Sequence, residues 1–146
     1  MAEPVRAILG RKASAIWGVT PEATVFEAIA LMAEKGIGAV LVLAGDELVG
    51  IVSERDYARK VVLRGKNSRE TAVSEIMSSP VFTIHPELRT DECMRLVTEK
   101  RIRHLPVTEQ GRLVGIVTIG DLVKSIISEQ AETIVQLTSY IEGRPL

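Results

Sequence analysis

The stretch Leu48-Val49-Gly50-Ile51-Val52-Ser53-Glu54-Arg55-Asp56 returns 65 positions later as Leu113-Val114-Gly115-Ile116-Val117-Thr118-Ile119-Gly120-Asp121. Each copy is an apolar run that closes on a hydroxyl residue, with an aspartate three positions on. An ungapped match of Thr20–Val62 with His85–Ile127 gives 14 identities in 43 positions, and about a third of the other pairs exchange one apolar residue for another. Upstream, Val5-x-x-Ile8-Leu9 resembles Val73-x-x-Ile76-Met77 at a slightly larger offset, so the first connection is the longer one. Solenoids need about three or more repeats to cover their ends. Two copies are therefore expected to pair as one compact body, which suits a chain of 146 residues.

Within each copy the hydrophobic pattern changes period. Thr24-x-x-Glu27 reads as a capping box, followed by Val25, Ala28, Ile29 and Met32 on one helical stripe that Gly36 ends. Ala39–Leu43 reads as a buried strand, Ala44–Glu47 as a turn, Leu48–Ser53 as the returning strand of a hairpin, and Glu54 to Leu63 as a helix. The second copy repeats the plan. Val81–Ile84 is a predicted strand and Thr90–Lys100 a helix with Cys93, Met94 and Val97 inward. His104–Thr108 and Arg112–Thr118 form a hairpin, and Ile119–Ile127 a helix. Val5–Leu9 is expected as a short helix or turn, Ala15–Val19 as a short strand, and Ser128–Ile141 as a helical extension. The order β-α-β-β-α, twice, predicts an α+β fold with small mixed sheets. The predicted divisions are 1–64 for the first repeat, 65–72 for a polar linker, 73–128 for the second repeat and 129–146 for the extension.

Composition narrows the function. Apolar residues are 46% of the chain but aromatics only 3%, so the core must be aliphatic. Lys and Arg number 18 against 19 acidic residues, which argues against a nucleic-acid partner. A single cysteine gives no disulfide framework. No long apolar run follows the N-terminus or could span a membrane, so a soluble cytoplasmic protein without a membrane partner is expected. His85 and His104 are far apart and Cys93 lies on the inward stripe of a helix, so no metal site is expected. No nucleophile, base and orienting residue stand together, so no catalytic residue is predicted and an enzyme is not expected.

The repeated Gly-Ile-Val-Ser/Thr-x-x-Asp phrase, together with Arg101-Ile102-Arg103-His104-Leu105-Pro106-Val107 before the second hairpin, resembles the CBS domain family, named after cystathionine β-synthase. The resemblance covers roughly Val5–Ile127, and a stand-alone pair of repeats with no attached catalytic domain is expected. It implies a pseudo-symmetric pair of repeats whose clefts take adenosine compounds: AMP, ADP or ATP, and in some relatives NAD or S-adenosylmethionine. It also implies a homodimer, with an unidentified protein partner receiving the signal. Carried over, the resemblance assigns ribose to Thr118 and Asp121 in one site and to Ser53 and Asp56 in the other. It assigns phosphate to Arg103 and His104, with Arg55 a partial substitute in the second site. Adenine slots are assigned to Lys12, Ala15, Ile16, Trp17, Ile37, Gly38, Ala39 and Ile116, and to Met77, Pro80, Val81, Phe82, Ile102 and Ile51.

The same residues have plainer roles. Ser/Thr-x-x-Asp is also a helix capping box, whose hydroxyl satisfies a free amide. Yet a carboxylate can accept both hydroxyls of a ribose, and a helix N-terminus favours an anion; the roles are partly compatible. Trp17 and Phe82 occupy equivalent positions and suit either the core or a base-facing wall. His104 suits a phosphate contact or a satisfied structural histidine; Arg112 suits a solvated turn, and His85 a turn. The matches of Arg103 and His104 in the first repeat are Gly38 and Ala39. The Asp121 site is therefore expected to bind nucleotide more tightly than the Asp56 site. The competing expectation is a constitutive scaffold whose clefts stay empty or hold another small molecule.

Overall fold

The structure, a computed structural model, describes residues 2–12 and 15–143. The last three residues of the predicted extension, 144–146, lie outside them. The described chain forms two compact units, and these are not the two sequence repeats. One comprises the described part of Met1–Ser14 with that of Thr83–Leu146; the other is Ala15–Phe82.

In the Ala15–Phe82 unit, β1 (Gly18–Val19) pairs parallel with β2 (Ala39–Ala44), and β2 pairs antiparallel with β3 (Glu47–Ser53). Helix α2 (Val25–Lys35) bridges β1 and β2. Thr24 Oγ1 accepts the Glu27 amide at its start, and Gly36 ends it at φ 64°. That left-handed turn suits a residue without Cβ. The predicted stripe is inward: Val25, Ala28 and Met32 are buried, and Ile29 packs against the same cluster. Val40, Val42 and Val52 meet them from the sheet, and Val73 and Ile76 close the cluster from the far end of the unit. The predicted linker is polar but fastened. Val25 and Phe26 donate their amides to the carbonyls of Thr71 and Ser68, and the Arg69 guanidinium lies 3.8 Å over the Phe26 ring.

Two expected elements change form here. The helix predicted from Glu54 to Leu63 starts as α3 (Glu54–Tyr57) and widens into a π-helical turn, Ala58–Val62, in which Leu63 donates to the Ala58 carbonyl. The strand predicted over Ala15–Val19 shortens to two residues.

In the other unit, β4 (His104–Glu109) and β5 (Arg112–Thr118) form an antiparallel hairpin behind α4 (Thr90–Lys100). Its turn places Gln110 and Gly111 at φ 52° and 78°. The strand expected over Val81–Ile84 is reduced to one parallel bridge, Ile84 to Val107. The helix and extension expected after Thr118 are one element, α5 (Ile119–Ile141). Helix α1 (Val5–Arg11) supplies Val5 and Ile8 to this unit's core, with Cys93, Val97, Leu105, Val107, Val117 and Leu122. Its backbone is tied in by the amides of Val5 and Arg6, which donate to the carbonyls of Leu88 and Pro86. Val5 and Ile8 thus do for one unit what Val73 and Ile76 do for the other. Among the described residues no helix is long and apolar enough to cross a membrane.

Candidate functional site

Both copies of the repeated phrase end in a complete capping box. The Thr118 hydroxyl accepts the Asp121 amide (3.2 Å), and Asp121 Oδ2 accepts the Thr118 amide (2.9 Å). The Ser53 hydroxyl accepts the Asp56 amide (3.2 Å), and Asp56 Oδ2 accepts the Ser53 amide (2.9 Å) and hydroxyl (3.1 Å). The strand before each box is held open by packing. A Cβ on Gly115 would stand 2.7 Å from Leu9 Cδ2, and one on Gly50 would stand 2.4 Å from Met77 Sδ. One residue before each glycine the strand register slips, so Val114 and Val49 are the extra residues of matching bulges. The glycines therefore serve close approach, and the bulges bend the strand leading to the aspartate.

The two carboxylates differ in their cations. Lys12, 109 residues away in sequence, donates to Asp121 Oδ2 (2.8 Å) and to the Ile116 carbonyl (2.9 Å). Asp121 Oδ1 has no partner among the described residues. Burial would raise the Asp121 pKa; the bonds from Lys12 and Thr118 outweigh it and hold the carboxyl below its ordinary value. At Asp56 the cation comes from the same helix. Lys60 Nζ lies 3.1 Å from Asp56 Oδ1 and donates to the Ile76 carbonyl (2.9 Å). Both oxygens of Asp56 are thus engaged, one by Lys60 and one by Ser53. The capping role is carried by both aspartates, while only Asp121 keeps an oxygen open.

The predicted site residues divide between the two units. Lys12, Ile102, Arg103, His104, Ile116, Thr118 and Asp121 belong to one. Ala15, Ile16, Trp17, Ile37, Gly38, Ala39, Ile51, Ser53, Arg55, Asp56, Met77, Pro80, Val81 and Phe82 belong to the other. In the first, the Arg103 carbonyl accepts the amide of Ile119, the first residue of α5 (2.9 Å). That brings the end of the Arg101–His104 stretch to the corner that carries Asp121. Gly38 and Glu54 make the equivalent bond (3.0 Å) in the other unit. There the small residues leave an open depression of about 300 Å³, lined by Ile29, Met32, Ala33, Gly36, Ile37, Gly38 and Glu54.

The structure shows contacts of these residues that the resemblance does not describe. Lys12, assigned by resemblance to an adenine slot, sits on the aspartate itself. Met77, assigned to the other slot, packs on Gly50 and the core cluster. Trp17 and Phe82 are not core residues: they are 37% and 38% exposed, and Lys35 Nζ lies 4.2 Å from the Trp17 ring centroid. Sequence reasoning also missed Lys60, whose i,i+4 spacing from Asp56 was the available signal. Cys93 is buried as expected; burial and the neighbouring Glu92 and Asp91 push its thiol up to about 11, which makes it a poor nucleophile. No cluster of metal-ligating residues occurs among the described residues.

The CBS domain family pattern matches residues 14–63 and again 73–128. The chain belongs to the CBS domain family. It is 54% identical to a candidate signal-transduction protein with CBS domains from Burkholderia ambifaria, whose structure superposes with a TM-score of 0.84 over 87% of this chain and 96% of that one. A CBS-domain containing protein from Agrobacterium tumefaciens superposes at 0.80 with 36% identity, over 84% of this chain and 98% of that one. The mitochondrial CBS domain-containing protein CBSX3 of Arabidopsis thaliana is 36% identical over 92% of this chain and 68% of its own length.

Proposed function

We propose that this CBS pair is a regulatory sensor of adenosine-containing nucleotides, AMP, ADP, ATP or NAD, and that its principal site is the Asp121 corner. The observation that carries the reading is the open Oδ1 of Asp121, an ionised carboxylate at the N-terminus of a 23-residue helix. A ribose diol donates two hydrogen bonds to such a group. Lys12 beside it and Arg103 and His104 on the adjoining stretch supply the cationic and donor groups that phosphates need. The Asp56 corner is the weaker site, because Lys60 and Ser53 already occupy its carboxylate and Gly38 and Ala39 replace the arginine and histidine. The protein acts as a homodimer and carries out no catalysis. Nucleotide shifts the population of two arrangements of the dimer, and a partner protein reads the change.

Calorimetric titration of AMP, ADP, ATP and NAD into the wild type, Asp121→Asn and Asp56→Asn tests the assignment. Asp121→Asn is expected to lower affinity by about tenfold or more, the loss of a charge-assisted hydrogen bond, while Asp56→Asn leaves the tighter site unchanged. Equal losses would remove the distinction between the corners.

One observation favours a constitutive scaffold instead: in both capping boxes the hydroxyl and the aspartate already satisfy each other's backbone amides. That reading predicts no rise in melting temperature with any of the four nucleotides at millimolar concentration, where a specific ligand raises it by mass action.

A further inference from the structure

Helix α5 continues well past its own buried residues. Leu122 and Ser125 are buried, but no side chain from Ile127 to Ile141 is. At about 1.5 Å per residue these fifteen positions extend about 22 Å, and an isolated helix of that length is marginal in water. The exposed apolar residues follow a defined line. Val123, Ile127, Ile134, Leu137 and Ile141, with Gln130, alternate steps of four and three, the 3.5-residue period of a coiled-coil seam. Their exposure runs from 40% at Val123 to 81% at Ile141. Tyr140 flanks the line; Val135 alone among the large exposed apolar residues of this stretch lies off it.

We infer that the distal half of α5 pairs with the same helix of a second copy as a short parallel coiled coil. Three features select this occupant. The two charges of the stretch, Glu129 and Glu132, fall on the outer face, so a self-pair brings no like charges together at the seam. Isoleucine fills the three a positions, Ile127, Ile134 and Ile141, and leucine or valine two of the d positions, the arrangement that favours two parallel strands. Gln130 at the remaining d position faces its own copy in a parallel pair, where two amides satisfy each other. In the antiparallel register that overlaps the whole seam it would face Ile134 and lose that partner.

The inference rests on the homodimer reading, and its test separates the two. Single cysteines are placed by Ile134→Cys and Leu137→Cys on the seam and by Glu132→Cys on the outer face; the buried Cys93 does not compete. Under mild oxidation both seam variants are expected to form covalent dimers at several times the yield of Glu132→Cys. Light scattering without oxidation reports the mass. A dimer whose seam variants link no better than Glu132→Cys overturns the coiled coil and leaves the homodimer standing. A monomer overturns both. Efficient linking only between mixed Gln130→Cys and Ile134→Cys chains overturns the parallel orientation.

Discussion

Thr90 stands where the first repeat has Val25, and both side chains are fully buried. The Thr90 hydroxyl has no hydrogen-bond partner among the described residues. A buried, unsatisfied hydroxyl costs about 1–3 kcal/mol, so Thr90→Val, which keeps the shape, is expected to raise stability by about 1 kcal/mol in urea denaturation; a loss of stability would mean that the hydroxyl is satisfied. Glu3 shows the opposite economy. Arg11 binds its carboxylate through two nitrogens, at 2.7 and 2.5 Å, and the Ser125 hydroxyl donates to it as well. Chiefly through the Arg11 bonds, its pKa is held down at about 2 against the ordinary 4.5. A depressed carboxylate contributes stability that is complete above the unfolded pKa and disappears as pH falls through the folded one. Glu3→Gln should therefore be less stable than wild type at neutral pH, by no more than about 1 kcal/mol for so accessible a pair. The gap should close between pH 4.5 and about 2. A gap that stays constant across that window, followed by urea denaturation at each pH, would assign the loss to packing instead.

At the scale of elements, the hairpins and the two amphipathic helices were legible because their signals are local. Period-2 runs, turn residues and the αL glycine at Gly36 lie within a few positions of what they determine. The same turn in the second repeat falls on Arg101 at φ 55°, without a glycine to announce it. The π-helical turn at Ala58–Val62 has no marker either, since its equivalent, Val123–Ile127, is regular helix. The capping boxes could be read from Ser53, Asp56, Thr118 and Asp121. The Lys12–Asp121 pair could not, because it joins segments brought together only by the tertiary fold. The glycines of the repeated phrase were visible as a motif, but their reason was not: each faces a side chain that arrives from a distant segment. Adding a methyl group there forces repacking that costs about 1–3 kcal/mol. Gly50→Ala should cost more than Gly115→Ala, because the new Cβ meets Met77 at Cγ (2.9 Å) and Cβ (3.1 Å), close to its backbone, whereas Leu9 is met at a terminal methyl. Equal chemical denaturation midpoints would show that Met77 moves aside freely.

For the molecule as a whole, the repeat visible in the sequence and the unit visible in the fold have different boundaries. The segment carrying Val5 and Ile8 leaves the first repeat to complete the core of the second, and the segment carrying Val73 and Ile76 completes the core of the first. An alignment of the repeats reveals that these segments correspond, but not which core each one fills, because both cores are aliphatic and accept the same side chains. The exchange makes a specific statement about where damage travels. Ile8 is 5% exposed and Ile76 1%, and truncating a buried isoleucine costs about 2–5 kcal/mol. Ile8→Ala should lower amide hydrogen-exchange protection chiefly at Leu105, Val107 and Val117, roughly a hundred residues away in sequence. Ile76→Ala should lower it chiefly at Val40, Val42 and Val52, on the far side of the 65–72 segment. If each sequence repeat folded on its own helix, the two patterns would be interchanged, and exchange rates at those six amides decide between the arrangements.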